Sequence, residues 1–227
     1  MNSKKQQQKK NKNKKECYFL YDFVKVTGAI PALIWQLPKI IHLTDKTKKI
    51  KGGAMITANH VNFGDPFLTL IAFWRRRVFS LATKDLYEGK FKNWFFTNTH
   101  CIKVDKENFS MNSFHNVLKK LENDKMVLIF PEGGLNSSNE MSAFKSGATL
   151  MAIKAKKPII PVYLERQEKW PQRRTCIVGE PINPLDYCSE KPTMQEINNF
   201  SQLLKQKEEE LKVYYENLKK GKGNDKK

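Results

Sequence analysis

A histidine and an aspartate five positions apart are the residues of this chain best suited to acid–base chemistry. His60 follows an apolar run at residues 54–58, and Asp65 is followed at once by Pro66. An apolar run that ends in Asn, Gly, Asp and Pro predicts a strand that delivers a loop. Pro66 suits the first turn of a helix, and Asp65 suits the N-cap position before it. Five positions along a helix would place the two side chains on different faces, so the spacing indicates a turn.

An imidazole beside a fixed carboxylate can take part in acid–base chemistry. A carboxylate at a helix N-terminus is favoured as an anion, and it can select one tautomer of the histidine and orient its ring. The alternative is a surface histidine and a capping aspartate that do not touch.

A second strand-end loop carries a glutamate and two glycines. Residues 126–130 form a buried-strand pattern, which Pro131 breaks, and Glu132, Gly133 and Gly134 follow. Ligands of open α/β sheets bind at the carboxyl ends of the strands, so the His60 and Glu132 loops are expected in one cleft. Glycine lets the backbone approach a ligand, and its amide can donate to an anion. The alternative is an ordinary turn with a surface glutamate.

The charge of +18 on 227 residues is concentrated at the two ends of the chain. Residues 1–15 hold seven lysines and no acid, and residues 219–227 hold five lysines and one aspartate. Both segments are predicted to be disordered basic tails. Such tails favour polyanionic partners, either nucleic acid or an anionic membrane surface.

The four cysteines favour a reducing compartment and no metal site. None of them forms a CxxC pair, which argues against a zinc ribbon. Their spacing does not suggest a disulfide framework. No signal peptide is evident, because the lysine-rich start is not followed by a long apolar core and a small-residue cleavage site.

Residues 16–48 form an apolar segment that we expect to associate with a membrane. Its longest run without charge, residues 26–38, has 13 residues and is too short to span a bilayer as a helix. Trp35, Tyr18, Tyr21 and the adjoining lysines are residue types favoured at a lipid interface. The alternative is a helix that covers the core of the domain.

Residues 49–190 alternate between strand and helix patterns. This alternation predicts an α/β domain with a mixed, largely parallel sheet flanked by helices. Strands are predicted at residues 54–58, 78–82, 101–104, 126–130, 159–164 and 175–179, and helices at 111–122 and, more loosely, 143–155. Residues 191–218 predict an amphipathic helix that opens on a capping box of Thr193 and Glu196. Packing on the domain is the favoured interpretation of this helix, and a membrane or partner surface is the alternative.

Four motifs in this order resemble the lysophosphatidic acid acyltransferase family of glycerolipid acyltransferases. The sequence NHVNFGDP resembles the first family motif, IKVDK the second, VLIFPEGG the third and PIIPVYL the fourth. AFKSGA also resembles the segment that the family places between its third and fourth motifs. The resemblance covers roughly residues 18–185, and the ordered set is far more specific than a histidine and an aspartate alone.

The resemblance implies transfer of a fatty acyl group from a thioester to the sn-2 hydroxyl of lysophosphatidic acid, which gives phosphatidic acid. His60 would be the general base and Asp65 its orienting partner, and the acceptor hydroxyl makes a covalent nucleophile on the protein unnecessary. The acyl donor would be carried on acyl carrier protein or coenzyme A. No metal or other cofactor is expected.

The implied substrate site contains Asn62, Lys84, Lys106, Glu132 and the Gly133–Gly134 turn. Lys106 and the turn would bind the phosphate of the acceptor, Lys84 is a candidate donor to the oxyanion, and Glu132 would bind acceptor hydroxyls or brace the loops. The chain departs from the family where Gly134, Leu135 and Asn136 replace the usual Thr-Arg-Ser. Lys106 also replaces the usual arginine. These departures bear on the identity of the acceptor.

The expected location is the cytoplasmic face of a membrane, where a lysolipid acceptor resides. Two other functions remain open at this stage. A basic nucleic-acid-binding module would explain the charge, but most of that charge is in the ends and no helix-turn-helix, zinc-finger or RNP motif is present. A lipid-binding protein without catalysis is disfavoured by the intact His60 and Asp65.

Overall fold

The computed structural model describes residues 17–36, 38–105, 110–138, 140–169 and 172–224. The strands are β1 (Lys39–His42), β2 (Ala54–Ala58), β3 (Val78–Thr83), β4 (Ile102–Val104), β5 (Met126–Ile129), β6 (Ile159–Leu164) and β7 (Thr175–Val178). The helices are α1 (Phe19–Gln36), α2 (Asp45–Lys48), α3 (Asp65–Ala72), α4 (Lys90–Asn98), α5 (Met111–Glu122), α6 (Ser146–Ala155) and α7 (Met194–Asn224), with 3-10 turns at Lys84–Tyr87 and Pro184–Asp186.

The strands form one sheet of seven strands in the order β1-β7-β6-β2-β5-β3-β4. The five strands from β6 to β4 run parallel, β7 runs antiparallel to β6, and β1 runs parallel to β7. The prediction of a mixed, largely parallel sheet is therefore confirmed. The carboxyl ends of β2, β3, β5 and β6 all lie at one edge, which we call the carboxyl edge.

The central strands are apolar on both faces because helices cover both. Every residue of β2, β5 and β6 is buried. One face packs against α5, α6 and α7 through residues such as Leu121, Met151 and Phe200. The other face packs against α3 through Leu68 and against the following residue Phe73. This double cover explains why these strands read as continuous apolar runs rather than alternating ones.

The structure extends the sheet and the last helix beyond their predicted limits. Residues 39–42, which the sequence placed in the membrane-associating segment, pair with β7 as an edge strand. The α7 helix continues to Asn224, so residues 219–224 are helical rather than part of a disordered tail. Its capping box is present: the Thr193 amide donates to Glu196 Oε2 over 2.7 Å, and the Glu196 amide donates to Thr193 Oγ1 over 3.2 Å.

The first helix lies on the domain rather than apart from it. The Tyr21 hydroxyl donates to the Val78 carbonyl at 2.7 Å, and Arg77 pairs with Asp22 at 2.6 Å. Within the described residues, no helix is both long and apolar enough to cross a bilayer. Whether α1 touches a membrane stays a prediction.

The residue before β2 must be glycine because the end of α5 closes against it. A Cβ atom on Gly53 would lie 2.1 Å from the Leu121 carbonyl oxygen. No side chain fits at that distance, so Gly53→Ala would push β2 away from α5. We expect a loss of about 1–3 kcal/mol in the free energy of unfolding, measured by urea denaturation.

Gly147→Ala is the matched control for this prediction. Gly147 is exposed in α6, and no atom lies within 4 Å of its added Cβ. This substitution should leave stability unchanged or raise it by up to about 1 kcal/mol, because alanine is the better helix former. Equal stability of the Gly53 variant and the wild type would contradict the close approach.

Candidate active site

Two neighbouring parallel strands deliver the candidate catalytic loops to the same place. In the register of β2 and β5, Thr57 pairs with Ile129, so both strands end level at the carboxyl edge. The His60 amide then donates to Glu132 Oε1 at 3.3 Å, and the Asn136 amide donates to the His60 carbonyl at 2.7 Å. The structure thus brings together the two loops that the sequence expected in one cleft.

His60 and Asp65 are in direct contact. His60 Nδ1 lies 3.0 Å from Asp65 Oδ2, and the imidazole stacks on the Phe130 ring with centroids 3.9 Å apart. An ionised carboxylate only accepts, so Nδ1 carries the proton and Nε2 carries the lone pair. Nε2 has no partner among the described residues, and 18% of the His60 side chain is exposed. The ring is therefore fixed on one side and open to a substrate proton on the other.

Asp65 holds the turn rather than capping the helix. Its side chain is fully buried, and Oδ2 also accepts from the backbone amides of Val61 and Asn62 at 2.7 and 2.8 Å. Gly64 takes the N-cap position of α3 and Asp65 is the first helical residue, so the helix is capped one residue earlier than predicted. The carboxylate organises the loop that carries His60.

A buried arginine supplies the other contact of Asp65. Arg174 is 2% exposed, and its Nη2 donates to Asp65 Oδ1 at 2.5 Å. Its Nε donates to the Glu165 carbonyl at 2.8 Å. A buried carboxylate is stable as an anion only when it is paired and hydrogen-bonded, and Arg174 with the two amides provides both conditions. No local sequence pattern indicates this contact, because the partners are 109 positions apart.

Glu165 ties this array to the C-terminal helix. The carboxylate accepts from the Thr175 amide at 2.8 Å, from the Tyr215 hydroxyl, and from Lys219 at 3.1 Å. Burial alone would raise the pKa of Glu165, but the hydrogen bonds from Tyr215, Lys219 and Thr175 lower it below its usual value. Glu165 is therefore favoured as an anion. It links Tyr215 on α7 to Thr175, the residue that follows Arg174.

Two asparagines fix the His60 loop to neighbouring segments. Asn59 makes a two-way contact with Leu164, donating to its carbonyl at 2.9 Å and accepting from its amide at 2.7 Å. Asn62 accepts from the Gln167 amide at 3.0 Å. Asn62, predicted to bind substrate, is thus a structural link between two loops. Asn59 precedes His60 in the motif but was not singled out from the sequence.

Glu132 braces the loops, which was one of the two roles considered for it. Oε1 accepts from the His60 amide, and Oε2 accepts from Asn136 Nδ2 at 2.6 Å and from the Ser142 amide at 2.9 Å. With both oxygens engaged, the carboxylate fixes the backbone of His60 relative to the third motif.

The predicted phosphate site is only partly assembled by the described residues. The Gly133 amide donates to the Phe130 carbonyl at 3.0 Å in a turn with φ of +80°, so it is not free for a ligand. The Gly134 amide has no acceptor in the described part of the chain. Lys84, at the carboxyl end of β3, pairs with Asp105 at 2.9 Å. Lys106 lies outside the described residues, and its role stays a prediction.

A third buried carboxyl, after Asp65 and Glu165, lies on α7. Glu208 is fully buried, and its oxygens and the Thr57 hydroxyl have no hydrogen-bond partner among the described residues. Burial raises the pKa of Glu208 well above its usual value, and the charge of Glu132 raises it further. The neutral acid is the form that this position favours.

Comparison with known proteins relates the fold and the site to one group. Residues 38–165 match the family model described as Acyltransferase. A 1-acyl-sn-glycerol-3-phosphate acyltransferase of Bacillus subtilis is 24% identical over 164 residues, which cover 70% of this chain and 81% of that protein. The Haemophilus influenzae protein of the same name is 28% identical over 161 residues, which cover 66% of each chain.

A solved structure has the same fold. It is the crystal structure of the 1-acyl-sn-glycerophosphate (LPA) acyltransferase PlsC from Thermotoga maritima, with a TM-score of 0.62 and 19% sequence identity. The match covers 85% of this chain and 79% of that one.

Because Arg174 contacts Asp65, substitutions of these two residues should have non-additive effects on the free energy of unfolding. Arg174→Met leaves a buried carboxylate without its cation, so the free energy of unfolding should fall by about 3–5 kcal/mol. The double variant Arg174→Met with Asp65→Asn should lose less than the sum of the two single changes, because no uncompensated charge remains. Urea denaturation of all four proteins measures the coupling.

The exposed pair of Lys156 and Glu190, at 2.6 Å, serves as the control. Lys156→Met should cost no more than about 1 kcal/mol, as is usual for surface pairs. Additive effects of the Arg174 and Asp65 changes would show that their contact does not stabilise the fold.

Because of Glu208, the free energy of unfolding should fall as the pH rises above the range in which carboxyl groups usually titrate. Its pKa in the folded state is raised above 4.5, the ordinary value, so folding takes up a proton and the cost of this uptake grows with pH. Glu208→Gln removes the titrating group, so the variant should lose less stability than the wild type between acid and neutral pH. Urea denaturation across this pH range measures the two slopes, and identical slopes would mean that Glu208 is ionised in the folded protein.

Proposed function

Because the chain belongs to the Acyltransferase family, we propose that it transfers a fatty acyl group from a thioester to the sn-2 hydroxyl of lysophosphatidic acid, forming phosphatidic acid. The observation that carries the proposal is the 3.0 Å contact of His60 Nδ1 with a fully buried Asp65, which leaves Nε2 open. The names of the relatives from B. subtilis and H. influenzae support the choice of acceptor.

The reaction needs one base and no covalent intermediate on the protein. His60 Nε2 takes the proton of the acceptor hydroxyl as its oxygen attacks the thioester carbonyl carbon. A carbon–oxygen bond forms, and the tetrahedral intermediate collapses as the carbon–sulfur bond breaks. The leaving thiolate takes the proton from the imidazolium, so His60 returns to its starting state.

Asp65 orients the base and stabilises its cation during this cycle. The carboxylate accepts the Nδ1 proton and holds the ring with its lone pair towards the substrate. Arg174 and the amides of Val61 and Asn62 donate hydrogen bonds to this buried carboxylate. Acyl transfer therefore depends on Arg174 through Asp65.

A lysophospholipid with another head group is the second candidate acceptor. The specific observation is the third motif, where the Gly133 amide is engaged and the exposed Leu135 stands where the family usually has arginine. Without a guanidinium fork at this position, recognition of a phosphomonoester rests on Lys106, which is a point charge rather than a bidentate donor. Either acyl carrier protein or coenzyme A would present the acyl group.

An acceptor of this kind resides in a bilayer, so we propose that the enzyme works at a membrane surface, on the cytoplasmic side. On α1, Phe19 and Phe23 are 76% and 56% exposed, and Val26 is 45% exposed. The spacing of these three residues places them along one face of the helix. An apolar helical face that is left in water supports interfacial docking.

The test is acyl transfer to a panel of lysolipids, with products identified by mass spectrometry. Wild-type protein should acylate lysophosphatidic acid with acyl-coenzyme A or acyl-carrier protein, and phospholipase A2 should release the new chain from the sn-2 position. His60→Ala should abolish turnover because the base is lost. Asp65→Asn should lower kcat by about 100-fold or more, since orientation and charge are lost together.

His115→Ala is the matched control, because His115 is an exposed histidine on α5, outside the site. It should retain wild-type turnover. Full activity of His60→Ala would overturn the mechanism. Preferential acylation of a lysolipid without a phosphomonoester would select the second acceptor, and an RNA gel shift without any acyl transfer would revive the nucleic-acid function.

A further inference from the structure

Helix α4 exposes large aromatic side chains for which the fold provides no cover. None of its nine residues is buried, and Phe91 and Trp94 are 73% and 52% exposed. The Phe91 ring lies 6.1 Å from the Trp94 ring and 6.4 Å from the Phe95 ring, so the three form one cluster. Exposed aromatic clusters of this kind mark interaction surfaces.

The helix is nevertheless anchored to the domain at its far side. Phe96 packs on Tyr87 with ring centroids 5.4 Å apart, and the Tyr87 hydroxyl donates to the Cys101 carbonyl at 2.8 Å. Thr99, just after the helix, is buried and donates to the Phe95 carbonyl at 2.8 Å. The exposure of Phe91 and Trp94 is thus a fixed feature of a positioned helix.

The position of α4 relates it to the catalytic end of the sheet. It follows the 3-10 turn Lys84–Tyr87, which begins where β3 ends. β3 runs parallel to β5, and β5 to β2, so β3 ends at the same carboxyl edge as the strand that carries His60. The first residues of α4 therefore lie at that edge.

The start of α1 adjoins the end of α4. His100, two positions after α4, contacts the Cys17 carbonyl through Nε2 at 2.9 Å and the Tyr18 ring at 4.8 Å. Phe19 follows directly, and its ring stacks on that of Phe23 at 6.5 Å. Exposed aromatic residues are therefore present on two neighbouring helices.

The charges on α4 itself are positive. The helix contains Lys90 and Lys92, both exposed, and no acidic residue. Aromatic residues flanked by cations match the boundary between head groups and acyl chains of an anionic bilayer.

We propose that α4 is a membrane-contacting element, which inserts Phe91 and Trp94 into the surface of an anionic bilayer beside α1. The inference rests on the proposed function, because a bilayer-resident acceptor is what requires the carboxyl edge to approach the membrane. The α4 contact then fixes the orientation of the domain, since a single helix would leave it free to rotate about α1.

Co-sedimentation with vesicles of phosphatidylcholine and phosphatidylglycerol tests the contact without any substrate. Phe91→Gln with Trp94→Gln should lower the partition coefficient by about ten-fold or more at all salt concentrations, because apolar burial is lost. Lys90→Gln with Lys92→Gln should weaken binding chiefly at low salt. The control Val213→Gln removes an apolar side chain of 55% exposure on α7 and should bind like the wild type.

Tryptophan fluorescence locates the contact on α4. Trp94→Phe preserves an apolar ring, so the emission difference between wild type and this variant reports Trp94 alone. Vesicles with brominated acyl chains should quench this difference. If the vesicles bind but the difference is not quenched, α4 does not enter the bilayer and the proposal is overturned.

Activity separates this inference from the proposed function. The Phe91→Gln and Trp94→Gln double variant should lose turnover of lysophosphatidic acid in vesicles but keep that of a short-chain, monomeric analogue. If the wild type binds vesicles but acylates no lysolipid, only the proposed function is contradicted. If the double variant binds vesicles as strongly as the wild type does, only this inference is contradicted. A lipid-free dimer that the double variant dissociates would assign the surface to a second copy and overturn it too.

Discussion

The buried contact between Arg174 and Asp65 is the constraint on which the candidate active site depends. A fully buried carboxylate needs a cation and several donors, and Asp65 obtains these from a guanidinium, two backbone amides and the His60 ring. The cation comes from the start of β7, so the antiparallel return of the chain after β6 is part of the site. The candidate active site therefore depends on this sheet topology.

The parallel arrangement of the central strands provides the remaining geometry. β2, β5 and β6 end at one edge, where their loops meet. Side chains then lock these loops together: Asn59 binds Leu164, and Glu132 binds the His60 amide. A base that must meet a hydroxyl group within hydrogen-bonding distance benefits from a rigid backbone of this kind.

Two features outside the His60 and Glu132 loops are unusual: a buried carboxyl group and exposed aromatic residues. On α7, the carboxyl group of Glu208 is buried, and this burial raises its pKa well above the usual value. On the outer surface, α1 and α4 leave aromatic residues in water while cations surround Tyr18. The same scaffold thus combines a buried ion pair with an outer surface that exposes aromatic residues.

The sequence by itself predicted the class of fold, most strand positions and the contact between His60 and Asp65. Continuous apolar runs mark strands that helices cover on both faces, and polar residues directly after them mark the carboxyl edge. Sequence-local chemistry also gave the capping box of α7, because its two partners are three positions apart. These features are readable because each depends on neighbours in the chain.

Only the tertiary structure decided which partners support the pair. Arg174 reaches Asp65 across 109 positions, and no local pattern encodes a contact made by an antiparallel return. The engagement of the Gly133 amide and the bracing role of Glu132 depend on how two loops fold against each other. The edge strand at residues 39–42 was hidden for the same reason: its apolar residues suit a lipid surface or a sheet equally well, and pairing with β7 decides between them.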